Sequence, residues 1–385
     1  MNIAFITNIC PHYRVKTFET LANYHNVDYY FFSMGDEWYW QQQHGVKTGT
    51  FNYEYLPGVR IKNTRLTPTL PLKLLRGNYE AYIKGINGRF ALPITYLIAR
   101  LKGKPFILWT GIWMRLQTRA HRVFFPITRY MYHHADAIVV YGEHVKRYLI
   151  SEGVAAERIF VAAHAVDNQA YNLAVSEQEQ VALRQRWQID PLHKVVLYLG
   201  RLAEGKGLDY LLQAFACIDR ADTVLLLAGT GLEESRLKAR SEELGLSKQV
   251  HFVGYVPTKE TYRYYNMADI FVLPSVTTAT FKEPWGLVVN EAFNQGVPVI
   301  ATDAVGAAAG GLVRDGINGL VVPERDSQAL ANAFRQLLDD DELRREMSQN
   351  ALDTIRGSDN ERMVEGFRDA LDYCLRWGKS VISNQ

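Results

Sequence analysis

Short, almost wholly apolar runs alternate with longer stretches of helical periodicity, and the alternation occurs twice along the chain. In the first half the apolar runs are residues 3–7, 27–32, 81–83, 106–109, 137–140 and 159–162. In the second half they are 195–199, 223–228, 250–253, 270–273, 299–301 and 319–322. Runs such as VVLYL and TVLLLA have no polar face, as expected of strands buried on both sides in a parallel sheet. Parallel neighbours need crossover connections, and the helical stretches supply them. Residues 92–101 and 119–134 read as helices, and so does 208–217, where Leu208, Leu211, Leu212 and Phe215 share a face. The pattern predicts an α/β protein of two Rossmann-like domains facing each other, with ligands in the cleft outside the carboxyl ends of the strands.

Between the two copies lies a polar, helix-forming stretch without a strand signal, so residues 169–192 are expected to link a domain over 1–168 to one over 193–357. Residues 358–385 read as one amphipathic helix, with Met363, Phe367, Ala370, Leu371 and Cys374 at helical spacing, expected to pack back on the first domain. Three widely spaced cysteines form no CxxC and cannot all pair, which argues against a disulfide framework or a cysteine metal site and fits a reducing compartment. The N-terminus reads as a strand and not a signal peptide, and no run approaches the length of a membrane span. The net charge of +2 hides a split. Residues 1–165 hold 20 Lys and Arg against 10 Asp and Glu, while the rest holds 23 against 31. The basic part, rich in aromatics, suggests an anionic partner such as a lipid phosphate, a membrane surface or a nucleic acid, or simply a basic soluble domain.

Two segments carry candidate chemistry. In FKEPWGLVVNEAFNQG, Glu283 stands at the expected start of a helix and Glu291 about two turns later. Glu283 is suited to accept hydrogen bonds from sugar hydroxyls, and Glu291 to grip a vicinal diol such as ribose, because both carboxylate oxygens are acceptors. A helix start there also presents free backbone amides to a ligand. In LYLGRLAEGKGLDYLLQAF, Arg201 and Lys206 flank a glycine-containing loop between a strand and a helix, and two cations there suit a diphosphate. The loop matches neither GxGxxG nor the Walker pattern. The acidic run 339–341 reads as a solvated face.

With these motifs in order, the second half resembles the donor domain of glycosyltransferase family 4, the group 1 retaining transferases of GT-B fold. The matching pieces are GRLAEGKGLDYLLQAF, LLLAGTGLEESRLKA, VHFVGYVP, YYNMADIFVLPS, EPWGLVVNE, GVPVIATDAVG and DGINGLVV, covering nearly all of 195–325. The resemblance implies that Arg201 and Lys206 bind the donor diphosphate. It implies that Glu283 lies near the transferred sugar and that Glu291 holds the ribose. The amides of Trp285, Gly286 and Leu287 would touch sugar or phosphate, and Gly254 and Tyr255 would line the base. It also implies a nucleotide-sugar donor, no bound metal and no cofactor. The first half departs from the family: the loop after the first strand, Asn8 to Arg14, has no Gly-Gly turn, and Trp109-Thr110-Gly111 has no following histidine. His12, Arg14, Thr110 and Gly111 are therefore the loop residues to examine there.

The expected reaction is transfer of a sugar to a glycan or lipid-linked acceptor, with same-face attack preferred over a covalent intermediate. A GT-B-like sugar-nucleotide epimerase and a catalytically silent nucleotide-sugar binding protein are the competing readings. Basic and aromatic residues cluster at 38–44, 59–76 and 113–129, where Arg115, Arg119 and Arg122 fall at helical spacing. A basic helix with aromatic flanks is suited to an anionic membrane. The expected location is cytoplasmic, peripheral on the inner face of the membrane, with no nucleic-acid partner.

Overall fold

The computed structural model describes residues 1–33, 49–61 and 64–382. The basic segment 38–44 lies outside the described residues. Two compact units divide the chain. The first comprises residues 1–112, 119–166 and 360–385, and the second comprises 113–118 and 167–359.

The first unit is built on a seven-stranded sheet, all parallel. Its strands are β1 (Asn2–Thr7), β2 (Asn26–Phe31) and β3 (Tyr53–Tyr55), then, after a two-stranded antiparallel ladder of β4 (Val59–Ile61) and β5 (Thr64–Leu66), β6 (Ala81–Gly85), β7 (Phe106–Thr110), β8 (Ala137–Val140) and β9 (Ile159–Val161). The spatial order is β3-β2-β1-β6-β7-β8-β9, so successive strands spread in opposite directions from the β1/β6 pair. Six strands match the apolar runs. The missed ones, β3, β4 and β5, are three residues each and contain no fully buried residue, so they lack the continuous apolar signal of a central strand.

Aromatic packing closes this core. Phe5 of β1 meets Phe18, Tyr29 and Trp109 with ring centroids 5.2–5.6 Å apart. Tyr29, fully buried, donates its hydroxyl to the Phe18 carbonyl at 2.9 Å, which removes the cost of an unpaired buried hydroxyl. The last helix, Asn360–Ile382, belongs to this unit. Its Phe367 packs on Phe5 and Trp109, and Thr17 donates to the Asn360 side chain at 2.6 Å. A Cβ on Gly366 would stand 2.2 Å from the Val161 carbonyl oxygen, so glycine is what lets this helix close onto β9.

The second unit has a six-stranded parallel sheet of β10 (Lys194–Leu199), β11 (Thr223–Ala228), β12 (Val250–Gly254), β13 (Ile270–Leu273), β14 (Val299–Thr302) and β15 (Gly319–Val322). The order is β12-β11-β10-β13-β14-β15, and here the winding reverses between β10 and β13. All six strands fall on the expected runs. Residues 169–192 contribute the helices Asn168–Tyr171 and Glu177–Arg186 to this unit, the second opened by a Ser176–Glu179 capping box. The acidic run 339–341 is exposed, as expected, and its members also make local contacts. Asp339 pairs with Arg220, Asp340 caps the helix Asp341–Arg356, and Asp341 pairs with Lys194 and Arg344.

Candidate functional site

Both strands flanking the winding reversal of the second unit end in loops that carry the candidate residues. β10 runs into Gly200, Arg201 and a turn that ends at Gly207, the N-cap of the helix Leu208–Ile218. Gly207 has φ +67°, and a Cβ there would stand 1.8 Å from the Pro274 carbonyl oxygen just beyond β13. The two loops are thus in backbone contact at a point where only glycine fits. The Val276 amide donates to the Gly205 carbonyl at 2.8 Å and ties them together a second time.

That contact brings Lys206 onto Glu283. The ammonium ion-pairs with Glu283 Oε2, and Ser275 donates its hydroxyl to the same oxygen at 3.0 Å. Both charged side chains are nearly nine-tenths buried, so the attraction is far less screened than at a surface. The Glu283 carbonyl accepts from the Trp113 indole at 3.0 Å and from the Gly306 amide at 3.1 Å, which fixes the backbone under the carboxylate. Lys282 lies 3.8 Å over the Trp113 ring. Arg201 is exposed, with no carboxylate partner among the described residues. Its carbonyl accepts from the buried Tyr198 hydroxyl at 2.8 Å, which anchors the start of the loop.

Glu291 departs from expectation. The helix that carries it is Val288–Asn294, so Glu291 sits in its first turn and not two turns in. The carboxylate is buried, with Oε2 accepting from the Tyr265 hydroxyl at 2.9 Å and a further hydrogen bond from Tyr171. Burial raises its pKa from the ordinary 4.5 to about 7, against the pull of the two phenols. Neither phenol announces itself in the sequence, because the contacts join residues 171, 265 and 291. Trp285 is buried with its indole donating to Asn290 at 2.9 Å, and its carbonyl accepts from Ala307 at 2.7 Å. The amides of Gly286 and Leu287 have no protein acceptor among the described residues. Gly254 ends β12 with its carbonyl bonded to the Gly229 amide at 2.7 Å, and Tyr255 beside it is half exposed. A cavity of about 350 Å³ lies beside the same loop, lined by Gly205, Asp209, Arg236, Thr278 and Arg325 among others, and does not include Arg201, Lys206, Glu283 or Glu291.

In the first unit, the loop after β1 forms a single tight turn, His12–Arg14. His12 is exposed, its ring edge-on to Tyr13. Thr110 is fully buried at the end of β7, and its Oγ1 accepts from the Ile112 amide at 3.2 Å and bonds Tyr132, so its side chain braces the loop. Gly111 is buried too, because any Cβ would strike the Tyr141 ring at 2.2 Å. Arg14 lies across Trp109, 4.5 Å from the ring centroid.

Comparison with known proteins bears on both units. Residues 179–354 match the family described as "Glycosyl transferases group 1". An alpha-D-kanosaminyltransferase of Streptomyces kanamyceticus is 29% identical over 267 residues, 66% of this chain and 67% of that protein. A D-inositol 3-phosphate glycosyltransferase of Corynebacterium aurimucosum is 35% identical over 232 residues, 57% of this chain and 52% of its own length. The chain spans about half to two thirds of the length of the curated relatives it matches. The crystal structure of the Anabaena protein HepE in complex with UDP superimposes with a TM-score of 0.77 at 20% identity, over 97% of this chain and 100% of that one. HepE has also been crystallised with UDP-glucose. That likeness covers both units and establishes the GT-B architecture.

Proposed function

Because residues 179–354 match the family described as "Glycosyl transferases group 1", we propose that the protein is a retaining glycosyltransferase. It moves a sugar from a nucleotide-sugar donor to a glycan or lipid-linked acceptor. The observation that carries this reading is the cluster at the carboxyl ends of β10 and β13. Lys206, Glu283 and Ser275 are hydrogen-bonded together there, Arg201 stands exposed beside them, and the Gly286 and Leu287 amides lack acceptors. That is the switch point of a doubly wound sheet, where ligands of such folds bind.

In the transition state the anomeric carbon gains oxocarbenium character while the diphosphate leaves. Arg201 and Lys206 hold the departing charge, and the amides add fixed donors, so no reorganisation is needed as the bond breaks. Glu283 is already held by Lys206 and Ser275, which suits it to orient sugar hydroxyls and not to attack. Retention then follows from same-face attack by the acceptor, with the leaving phosphate taking its proton. The cations do the electrostatic work that a metal does elsewhere, so transfer is expected to persist in EDTA. Glu291 accepts from the ribose diol in its ionised form. A melting-shift screen of UDP-, GDP-, ADP- and dTDP-sugars tests the donor assignment, because a true donor raises the melting temperature. Transfer to an acceptor, or donor hydrolysis, separates an enzyme from a silent binding protein, and failure of every nucleotide sugar to shift the melt refutes the reading.

The acceptor side is read from the first unit. Three of its helices carry exposed apolar residues: Leu72 and Leu75 on Thr69–Arg76, Leu97 and Leu101 on Ala91–Leu101, and Val123, Phe124, Ile127 and Tyr130 on Arg119–His134. Tyr96 and Tyr130 meet edge-on at 5.9 Å, and Lys102 donates to the Leu75 carbonyl at 2.9 Å, so these helices are neighbours. Arg122 and Arg129 are exposed among them. None of the described helices is long and apolar enough to cross a membrane. Exposed apolar side chains beside arginines support peripheral binding to an anionic membrane, where a lipid-linked acceptor resides.

A further inference from the structure

The turn His12–Arg14 folds the chain back across the carboxyl edge of the first unit's sheet, at the β1/β6 reversal. Arg14 is held there from two sides. Its guanidinium lies 4.5 Å over the indole of Trp109, the penultimate residue of β7, and its Nη2 donates to the hydroxyl of Tyr141, just beyond β8, at 3.1 Å. Tyr141 is itself packed edge-on against His164 with centroids 4.0 Å apart. The Nε of Arg14 is buried with no acceptor, and no carboxylate among the described residues pairs with the side chain. A partly buried guanidinium in such a place costs free energy until an anion joins it.

Among the described residues, two titratable groups around it are uncharged. Burial pushes the Cys10 thiol up to about 12, so it stays neutral. Burial, then the charge of Arg14 itself, holds His164 well below the usual imidazole value, so that ring is neutral too. The nearest strand-end cation, Lys84 on β6, is fully buried and turned to the carbonyls of Gly85 and Asn87 at 2.6 and 2.7 Å. Lys84 fixes the neighbouring loop, whereas Arg14 is presented at this edge.

We propose that Arg14, braced by Trp109 and Tyr141, is the anchor of a phosphate-binding site at the carboxyl edge of the first unit. A planar guanidinium stacked on an indole keeps its donors in one plane, the geometry that takes two phosphate oxygens side by side. The phosphate has two sources within the transferase reading on which this rests: a phosphate of a lipid-linked acceptor, or the donor diphosphate. The site itself is defined by the first unit alone.

The test titrates full-length protein with geranyl monophosphate and with UDP, by calorimetry and by Trp emission. The variants are Arg14→Met, Arg14→Lys, Tyr141→Phe, Trp109→Phe and the pair Arg201→Ala/Lys206→Ala. For an acceptor phosphate, geranyl phosphate binds wild type and the Arg201/Lys206 pair variant alike, and Arg14→Met weakens it at least tenfold. Arg14→Lys, which keeps the charge and loses the fork, recovers only part. For the donor diphosphate, it is UDP affinity that falls at least tenfold in Arg14→Met. Should Arg14→Met not fold, wild type decides: phosphate binding changes an emission component that Trp109→Phe lacks. Unchanged affinity for both probes in folded Arg14→Met, or no Trp109-dependent change in wild type, overturns the site. Absence of nucleotide binding in wild type would instead undo the transferase reading, and geranyl phosphate would still decide on Arg14.

Discussion

Glu291 shows at the residue scale how much a position depends on what surrounds it. Its carboxyl, raised to about 7 by burial, binds a proton more tightly in the folded chain than in the unfolded one. Its contribution to stability is therefore complete below about 4.5 and is lost as pH rises through about 7. In the ligand-free protein, Glu291→Gln should remove that part of the pH dependence, measured as melting temperature between pH 4.5 and 8. If ionised Glu291 grips a ribose, nucleotide affinity rises several-fold over the upper part of the same range in wild type and stays flat in Glu291→Gln. An affinity that is equal in the two proteins at pH 8 sinks the ribose assignment. For the cations, Arg201→Ala and Lys206→Ala should each cost about 2–3 kcal/mol in kcat/KM, the size expected for a group facing a charged leaving group. Lys206→Ala also strips Glu283 of its counter-ion, so its cost should be partly relieved by adding Glu283→Gln. Wild-type kinetics in either single variant would make the loop purely structural.

Among the elements, the glycine loop after β10 and the last helix depend most on a single close approach. Gly207 combines a left-handed backbone with a 1.8 Å conflict for any Cβ, so Gly207→Ala should destabilise the second unit by at least about 2 kcal/mol. It should also lower donor affinity, because Lys206 is displaced with the loop. Denaturant unfolding and nucleotide titration check the two effects separately. Gly366 sits in regular helix, and its constraint is steric only. Gly366→Leu should push the helix Asn360–Ile382 off β9 and lower the melting temperature of the first unit. A Gly366→Leu protein that melts like wild type would show that the helix is not held closely to the sheet.

For the whole molecule, the charge split and the exposed apolar residues of the first unit lead to one measurement. Each Lys or Arg near an anionic surface contributes roughly 1 kcal/mol, screened by salt. Co-sedimentation with liposomes should rise with their anionic lipid fraction and fall from low to high salt. Arg115 precedes the helix Arg119–His134 and belongs to the second unit, so the expected helical row with Arg119 and Arg122 is not formed. Reversing the exposed Arg122 and Arg129 to Glu should abolish binding while the melting temperature holds. Wild type that stays in the supernatant at low salt leaves the acceptor a soluble anionic glycan.

What the sequence determined by itself was whatever is local or periodic. Twelve of the strands, their helices and the two-fold α/β plan were legible because buried parallel strands are nearly all apolar and their crossovers keep helical spacing. The candidate set Arg201, Lys206, Glu283 and Glu291 could also be named from the sequence, since a glycine loop and a Glu-x7-Glu motif are readable in line. Tertiary structure decided the partners. It put Lys206 on Glu283, buried Glu291 under Tyr265 and Tyr171, and buried Thr110 at the end of β7. It laid Arg14 across Trp109 against Tyr141. The contacts of Lys206, Glu291 and Arg14 join residues some 26 to 127 positions apart. Strand order sets which ends lie side by side, and neither periodicity nor motif spacing encodes strand order.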